Sequence, residues 1–151
     1  AAEQLVDDIN ALDVRTGQAK IHEAARANYG DEIMRLVLIG ANINLPNKYG
    51  ATSIHIAARD GCKKAIQTLI NLKVNLNAVD GNGYSSMDYA LINKCGFDEI
   101  IAMLIANGTD RNLRKIIDEE TRRQALETIT RIGQFEYTTG EYEPLVFGGG
   151  L

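Results

Sequence analysis

Residues 50–58 read Gly-Ala-Thr-Ser-Ile-His-Ile-Ala-Ala, and this stretch decides the fold because the chain contains its pattern three times. Gly17 and Gly83 open the other two copies, so the step between copies is 33 residues (50 minus 17, and 83 minus 50). A fixed step of this length is typical of repeats that stack short helices against their neighbours. The sequence therefore predicts a helical stack.

The three copies also agree outside that stretch. Residues 19–25 read Ala-Lys-Ile-His-Glu-Ala-Ala, and residues 85–91 read Ser-Ser-Met-Asp-Tyr-Ala-Leu. Later positions in register are Leu36-Val37, Gly40-Ala41 and Ile43-Asn44 in the first copy, Leu69-Ile70 and Leu76-Asn77 in the second, and Leu104-Ile105 and Gly108-Thr109 in the third. In these motifs the chain resembles the ankyrin-repeat family, whose pattern is G-x-T-P-L-H-x-A-A, followed by L-L-x-x-G-A and V-N. The resemblance extends from Ile9 to Asp110.

The copies depart from the family pattern at a few positions. Ser53 and Ser86 replace its proline, Lys73 replaces its later glycine, and Asp88 replaces its histidine. The third copy also carries a short insertion in the turn between its helices, where changes in length are tolerated. We expect these departures to disturb the stack little.

The resemblance implies an all-α fold, an ankyrin-repeat solenoid of stacked helix-turn-helix units with finger-like turns. We predict an ankyrin-repeat domain over residues 1–133 and an acidic, aromatic tail over residues 134–151. The predicted parts of the domain are a partial N-terminal repeat (1–13), three repeats (14–46, 47–79, and 80–112 with the insertion) and a C-terminal capping helix (113–133).

The second helix of each copy carries an apolar stripe at i, i+3 and i+4. Its members are Ile33, Leu36 and Val37, then Ile66, Leu69 and Ile70, then Ile101, Leu104 and Ile105. This spacing places side chains on one face of a helix, so we predict that they form the core. Helices this short are not stable alone, and contact between copies must therefore supply the stability.

The two ends of the stack need caps. Residues 1–13 are predicted to supply one cap, with Leu5 and Ile9 facing inward. A helix over residues 118–132, ending at Gly133, is predicted to supply the other. Its buried side is predicted to hold Ala125, Leu126, Ile129 and Ile132, with Arg122, Arg123 and Glu127 outside.

The tail leaves three interpretations open. It is a loosely docked terminus, or a hairpin that turns at Thr139-Gly140 and brings Phe135 and Tyr137 opposite Tyr142, or a docking peptide. The third interpretation rests on a resemblance, because some ankyrin proteins that intracellular bacteria secrete carry C-terminal signals that are acidic and end in apolar residues.

Charge and composition disfavour several classes of function. The formal charge of -4 and the pI near 5.2 argue against nucleic acid as a partner, because phosphate binding needs a positive field. No stretch approaches the roughly 18 apolar residues that a membrane span requires. Cys62 and Cys95 are too few for a disulfide framework, which favours a reducing, cytoplasmic setting.

We find no group of residues that indicates catalysis, a metal site or a cofactor, and we interpret the chain as a protein without enzymatic activity. His22 and His55 occupy equivalent positions, where an imidazole can hydrogen-bond the turn of the adjacent repeat. We therefore assign these histidines a structural role, together with the glycines that open the repeats, Gly17, Gly50 and Gly83.

In the ankyrin fold, partners usually dock on the concave face formed by the finger-like turns and the first helices, and the resemblance implies the same face here. We predict nine exposed, partner-binding positions: Arg15, Glu23, Arg26, Lys48, Tyr49, Ile56, Arg59, Tyr84 and Tyr89. Tyr and Arg are the residues that dominate binding energy at interfaces. The predicted ligand is an acidic or phosphorylated peptide segment of a protein, bound by a monomer. The alternative is that a few basic side chains on a solvated face have no function.

Two classes of function remain open. The favoured one is a protein-protein interaction module, a cytoplasmic scaffold or adaptor. The other is the ankyrin portion of a larger enzyme, or of a secreted bacterial effector that acts on host proteins in the host cytoplasm. The resemblance also implies that Asn44 and Asn77 match positions that can be hydroxylated in ankyrin proteins of eukaryotic cells.

Overall fold

The computed structural model describes residues 8–92, 98–109 and 119–139. Over these ranges the chain forms seven α-helices and no strand, which confirms the predicted all-α fold. The helices are α1 (Lys20–Arg26), α2 (Gly30–Leu38), α3 (Ser53–Asp60), α4 (Lys63–Asn71), α5 (Ser86–Ile92), α6 (Asp98–Ala106) and α7 (Glu119–Thr139). Leu5, Cys95, Asp118 and most of the predicted tail lie outside the described residues, as does the side chain of Arg122.

The chain forms two compact units. The first, Ala1–Ser86, contains the helices α1 to α4, and the second, Met87–Leu151, contains almost all of α5 together with α6 and α7. In the first unit α1 packs against α2 and α3, α3 packs against α4, and α2 packs against α4. In the second unit α6 packs against α7. The first unit thus consists of two helix pairs, each helix touching its counterpart in the other pair.

The middle copy illustrates why its first helix begins and ends where it does. Thr52 has an extended backbone at the N-cap position, and Gly61 ends α3 with a φ of 73°, which a residue without a Cβ adopts at little cost. Ala57 and Ala58 are fully buried, so α3 presents almost no side-chain bulk there. The small side chains allow the neighbouring helices to approach α3 closely.

The apolar stripes form the core, with two exceptions at their edges. Ile33, Leu36, Ile66 and Leu69 are fully or almost fully buried in the first unit. The stripe of α6 in the second unit is also buried, at Ile101, Leu104 and Ile105. Val37 and Ile70 are only half-buried, so the third position of the stripe lies at the margin of the packed face in α2 and α4 but not in α6.

The second helices of the three copies, α2, α4 and α6, all end in the same hydrogen-bonded cap. At the end of α4, the N–H of Lys73 donates to Ile70 and the N–H of Val74 donates to Leu69, both at 3.0 Å. This pair of hydrogen bonds requires a residue in the left-handed backbone conformation, usually glycine. Gly40 and Gly108 fill that position with φ values of 115° and 85°, but Lys73 fills it with a φ of 66°. The replacement of glycine at Lys73, which we expected to be innocuous, therefore strains the backbone.

The predicted C-terminal capping helix, α7, is longer than expected. The expected end at Gly133 is wrong, because α7 continues to Thr139. A single glycine costs a helix only about 1 kcal/mol and does not end it without further breakers. The hairpin interpretation of the tail is also wrong for its first strand, because residues 135 and 137 belong to α7.

The same helix shows how its buried face is defined. Ala125, Ile129 and Ile132 are buried as predicted. Leu126 is 49% exposed, contrary to expectation. The buried residues follow one another at i, i+4 and i+7, whereas Leu126 is turned by about 100° from Ala125, so it lies beside the packed face.

The core of the middle copy can be tested with a matched pair of substitutions. Leu69→Ala should lower the free energy of unfolding by about 2 to 5 kcal/mol, because Leu69 is fully buried and alanine leaves a cavity. Leu38→Ala should change it by less than about 0.5 kcal/mol, because Leu38 is 75% exposed. Urea unfolding followed by circular dichroism measures both. Similar losses at the two sites would contradict the assigned register.

The strained cap predicts a stabilising substitution. Lys73→Gly should raise the free energy of unfolding by about 1 kcal/mol, since glycine adopts the left-handed conformation without the clash that a Cβ causes. Gly40→Lys is the reciprocal control and should lower the stability, because Gly40 ends α2 in the equivalent cap. Thermal unfolding of the two variants beside the original chain tests the pair, and a neutral Lys73→Gly would show that the strain is relieved elsewhere.

Candidate partner-binding surface

Each of the helices α1, α3 and α5 is preceded by a tight turn, here called a finger. The first finger covers residues 13–18, the second covers 47–51 and the third covers 80–84. In each finger the first side chain accepts a hydrogen bond from a backbone N–H two residues later, a common way to fix a turn. The pairs are Asp13 with Arg15 at 2.7 Å, Asn47 with Tyr49 at 2.8 Å and Asp80 with Asn82 at 2.9 Å.

Backbone hydrogen bonds join the fingers into a row. The N–H of Lys48 donates to the carbonyl of Gly17, and the N–H of Gly81 donates to the carbonyl of Tyr49, both at 3.0 Å. The second and third fingers approach so closely that a Cβ on Gly50 would lie 2.6 Å from the nitrogen of Gly81. Gly50 also has a φ of 81°. This position therefore accepts only glycine, for two independent reasons.

Asparagine side chains bridge consecutive copies beside the fingers. The side-chain oxygen of Asn10 accepts the N–H of Asn42 at 2.8 Å, and its amide nitrogen donates to the carbonyl of Gly40 at 3.2 Å. The side-chain oxygen of Asn44 accepts the N–H of Asn75 at 2.9 Å. These bonds give Asn44 a structural use within the described part of the chain, because it holds the loop of the next copy.

Two buried histidines, one on α1 and one on α3, each connect their helix to the loop at the end of the same copy. Nδ1 of His22 accepts the N–H of Ala19 at 2.9 Å, so Nδ1 has no proton and Nε2–H donates to the carbonyl of Leu45 at 2.7 Å. His55 repeats this arrangement one copy later, with Thr52 N–H at 3.0 Å and the carbonyl of Ala78 at 2.9 Å. Both imidazoles are therefore placed as neutral rings.

Burial lowers the pKa of His22 below its ordinary value, and the carbonyl of Leu45 and the nearby Glu23 carboxylate oppose this shift only in part. A proton on Nδ1 would also face the Ala19 N–H and break that hydrogen bond. The folded state therefore holds His22 neutral, which is the state that its two hydrogen bonds require.

The structure exposes most of the predicted binding residues, but not all. Arg15, Glu23, Arg26, Lys48, Tyr49 and Arg59 are exposed, and Tyr84 is half-exposed. Tyr89 is half-exposed and lies in the second unit. The expected exposure of Ile56 is wrong, because its side chain is only 5% exposed. It lies on α3, which packs against both α1 and α4, and all six residues of α3 from Ser53 to Ala58 are buried.

The arginines on this surface already have carboxylate partners. Arg15 pairs with Asp13 at 3.8 Å and Arg26 pairs with Glu23 at 4.0 Å. Arg59 pairs with Asp60 at 3.2 Å, in the helix that the two residues share. The local surface is therefore less basic than a count of the nine predicted positions suggests, because Asp13 and Asp60 were not among them.

Sequence reasoning missed an exposed apolar position directly before each finger. Leu12, Pro46 and Val79 each come directly before the residue that closes the finger turn, and all three are exposed. Pro46 and Val79 are one 33-residue step apart, but the same step leads from Pro46 back to Asp13, because the first finger is one residue longer than the others. The sequence repeat alone therefore does not reveal this position in all three copies.

A cleft of about 620 Å³ lies between α2 and α4 and is lined mainly by polar side chains. A Cβ on Gly30 would lie 2.5 Å from Oγ1 of Thr68, so the glycine allows the start of α2 to approach α4. Glu32 in this cleft is hydrogen-bonded to Arg35, which lowers the pKa of its carboxyl group. The cleft follows from helix packing and brings no catalytic set of residues together.

The remaining chemical candidates are inert. Burial and the nearby Asp60 carboxylate raise the pKa of the Cys62 thiol, so it stays protonated at neutral pH. Its Sγ lies 3.6 Å from the carbonyl oxygen of Arg26. Among the described residues there is no group of three or more His, Cys, Asp or Glu side chains that could hold a metal ion. In that same part of the chain, no helix has both the length and the apolar character needed to cross a membrane.

The sequence profile described as ankyrin repeats (3 copies) matches residues 21–115, which is more than half of the chain. The chain therefore belongs to the ankyrin-repeat family, as its motifs predicted. Ankyrin repeats are generally protein-protein interaction modules and are typically non-catalytic. No curated protein gave a significant match to the chain.

The neutral state of His22 predicts how stability depends on pH. Because its folded pKa lies below the ordinary value of 6.5, the unfolded chain binds a proton first as the pH falls. This contribution to stability is complete above pH 6.5 and is lost as the pH decreases below that value, by at most about 1.4 kcal/mol per pH unit. Urea unfolding from pH 7.5 to 5 should show a shallower slope for His22→Gln than for the original chain. Equal slopes would mean that His22 does not supply the dependence.

Proposed function

We propose that the chain binds a protein partner on the surface formed by its three fingers and the exposed sides of α1 and α3. The observation that carries the proposal is the placement of Arg26 and Arg59 at equivalent positions, 33 residues apart, near the ends of α1 and α3. These two helices pack directly against each other. Two exposed arginines on neighbouring helices, whose axes lie roughly 8 to 10 Å apart, can bind one acidic segment of a partner.

The ion pairs of these arginines with Glu23 and Asp60 are exposed to water. The side chains of Arg26, Glu23 and Arg59 are each 53% exposed. Exposed pairs of this kind contribute only about 0 to 1 kcal/mol, because water screens the charges and ordering long side chains costs entropy. A carboxylate or phosphate of a partner, held by two parallel hydrogen bonds and shielded from water at the interface, forms a stronger contact. The partner would thus replace Glu23 and Asp60 as the counter-ion.

The second finger supplies the aromatic part of this surface. The ammonium group of Lys48 lies 5.0 Å from the centre of the Tyr49 ring, within the range of a cation–π contact. Tyr49 is exposed, and a rigid tyrosine combines a large contact area with a hydroxyl group for hydrogen bonding. A partner that covers Tyr49 and pairs with Arg59 would therefore obtain both apolar and directional contacts.

The proposal places the chain in the cytoplasm as a monomeric adaptor without activity of its own. Cys62 supports a reducing compartment, because it is a free thiol buried in the packed first unit. The same surface would serve the alternative in which the chain is the ankyrin portion of a larger enzyme or a secreted effector.

The proposal can be tested with a displayed library of random peptides of about 20 residues, long enough for roughly 30 Å of helix. Peptides selected on the full chain should be enriched in acidic residues. Arg26→Glu combined with Arg59→Glu should weaken their binding at least about tenfold, or about 1.4 kcal/mol, since the gain is net of two broken ion pairs. Isothermal titration calorimetry measures the change.

Lys63→Glu combined with Lys64→Glu is the matched control, because it reverses two charges on α4, which is not part of the proposed surface of fingers, α1 and α3. This control should leave the affinity within about twofold, which corresponds to about 0.4 kcal/mol. Equal losses of affinity in both double variants would show that the overall charge of the chain, and not Arg26 and Arg59, determines binding. Selected peptides that ignore Arg26 and Arg59 would remove these residues from the binding surface.

A further inference from the structure

Directly before the three fingers lie three exposed apolar residues, Leu12, Pro46 and Val79, here called the apolar row. Leu12 is 37% exposed and Val79 is 58% exposed, and Pro46 is exposed as well. The three are equivalent by structure, because the residue that follows each of them forms the same pair of bonds. It donates its backbone N–H across the finger, at 2.8 to 2.9 Å, and it closes the turn with its side chain.

The spacing along the apolar row follows from the packing of the copies. Consecutive fingers lie side by side, because they are hydrogen-bonded through their backbones at 3.0 Å. The helices α1 and α3 behind the first two fingers pack against each other, which sets an interval of roughly 8 to 10 Å. The 33-residue repeat carries the same interval to the third finger.

That interval distinguishes between the shapes that a partner segment can have. In an extended strand, side chains on one face recur at about 7 Å and about 13 Å, and neither matches the row. In an α-helix, residues seven apart lie on nearly the same face and are about 10.5 Å apart along the axis. A helix of about 15 residues thus reaches all three members of the row with residues i, i+7 and i+14.

We propose that the apolar row binds an amphipathic helix of a partner protein, with apolar side chains at heptad spacing and acidic side chains along one flank. This inference rests on the proposed function and specifies the shape of the partner. The acidic flank follows from Lys48 and from Arg15, which would exchange its exposed ion pair with Asp13 for a carboxylate of the partner; both are exposed in the first two fingers, just after the apolar row. The third finger has Gly81 and Asn82 at the corresponding place, so the acidic residues belong opposite the first two fingers only.

The same displayed peptide library tests this inference on the full chain. Selected peptides should carry apolar residues at i, i+7 and i+14 and should become helical on binding, as measured by circular dichroism. Inserting two alanines between the first and second apolar residues turns the second by about 200°, and should weaken binding at least about tenfold. The inference is overturned by selected peptides that bind in an extended form or tolerate the insertion.

Substitutions in the chain provide the matching arm. Leu12→Ser combined with Val79→Ser should reduce the affinity for the selected peptide at least about tenfold, because two of its three apolar contacts are lost. Val79→Ser alone, at the more exposed site, should show a smaller loss and guards against unfolding of the double variant. Leu38→Ser, at an exposed leucine that ends α2 and lies outside the fingers, should keep the affinity within about twofold.

The outcomes separate this inference from the proposed function. Acidic peptides that depend on Arg26 and Arg59 but not on Leu12 and Val79 would overturn the apolar row and leave the proposed function standing. A chain that selects no peptide above an empty support would contradict both. Self-association of the chain that Leu12→Ser and Val79→Ser abolish, seen by light scattering, would assign the row to a second copy and overturn the partner helix.

Discussion

The buried imidazoles of His22 and His55 carry the connection on which the first unit depends. Each ring accepts a backbone N–H at the start of its own helix and donates to a backbone carbonyl 23 residues further along. One side chain therefore fixes the N-terminus of a helix and the path of the chain into the next finger. Helices of seven to nine residues do not persist alone in water, so connections of this kind decide whether they form at all.

The same connection sets the position of the exposed surface. The carbonyl that His55 binds belongs to Ala78, directly before Val79, and the third finger begins at Asp80. The buried imidazole of His55 thus fixes the backbone directly before the exposed Val79. Because the fingers are also tied to each other through backbone atoms, their exposed side chains take little part in holding the fold together.

Much of this architecture could be predicted from the sequence, because it depends on periodic features. The 33-residue step, the stripes at Ile33 and Ile66 and the left-handed Gly61 are local patterns that repeat. The errors occurred where the outcome depends on neighbours. Ile56 was expected to be exposed from its place in the repeat, but contacts on both sides of α3 bury it. The end of α7 was placed at Gly133, although one glycine does not outweigh the helix formers around it.

The character of the exposed surface was predicted less well than the fold, since it depends on pairs of side chains that sequence reasoning treats singly. Arg59 was counted as a free positive charge, yet Asp60 beside it binds it in the structure. Leu12 and Val79 do not stand out in the sequence, because single exposed apolar residues are normal on protein surfaces. Their meaning comes only from their equal positions directly before the fingers, and that equality rests on hydrogen bonds that the sequence does not reveal.

The backbone linkage of the fingers has a consequence for how the chain can change over evolutionary time. Positions such as Leu12, Tyr49 and Val79 can accept many residues, because the bonds that order the fingers use main-chain atoms and the first side chain of each finger. Gly50 and Gly81 have no such freedom, since a methyl group on either one would collide with the adjacent finger. The exposed residues that determine binding specificity can therefore change at little cost in stability, whereas Gly50 and Gly81 must be kept because the adjacent backbone occupies the space of a side chain.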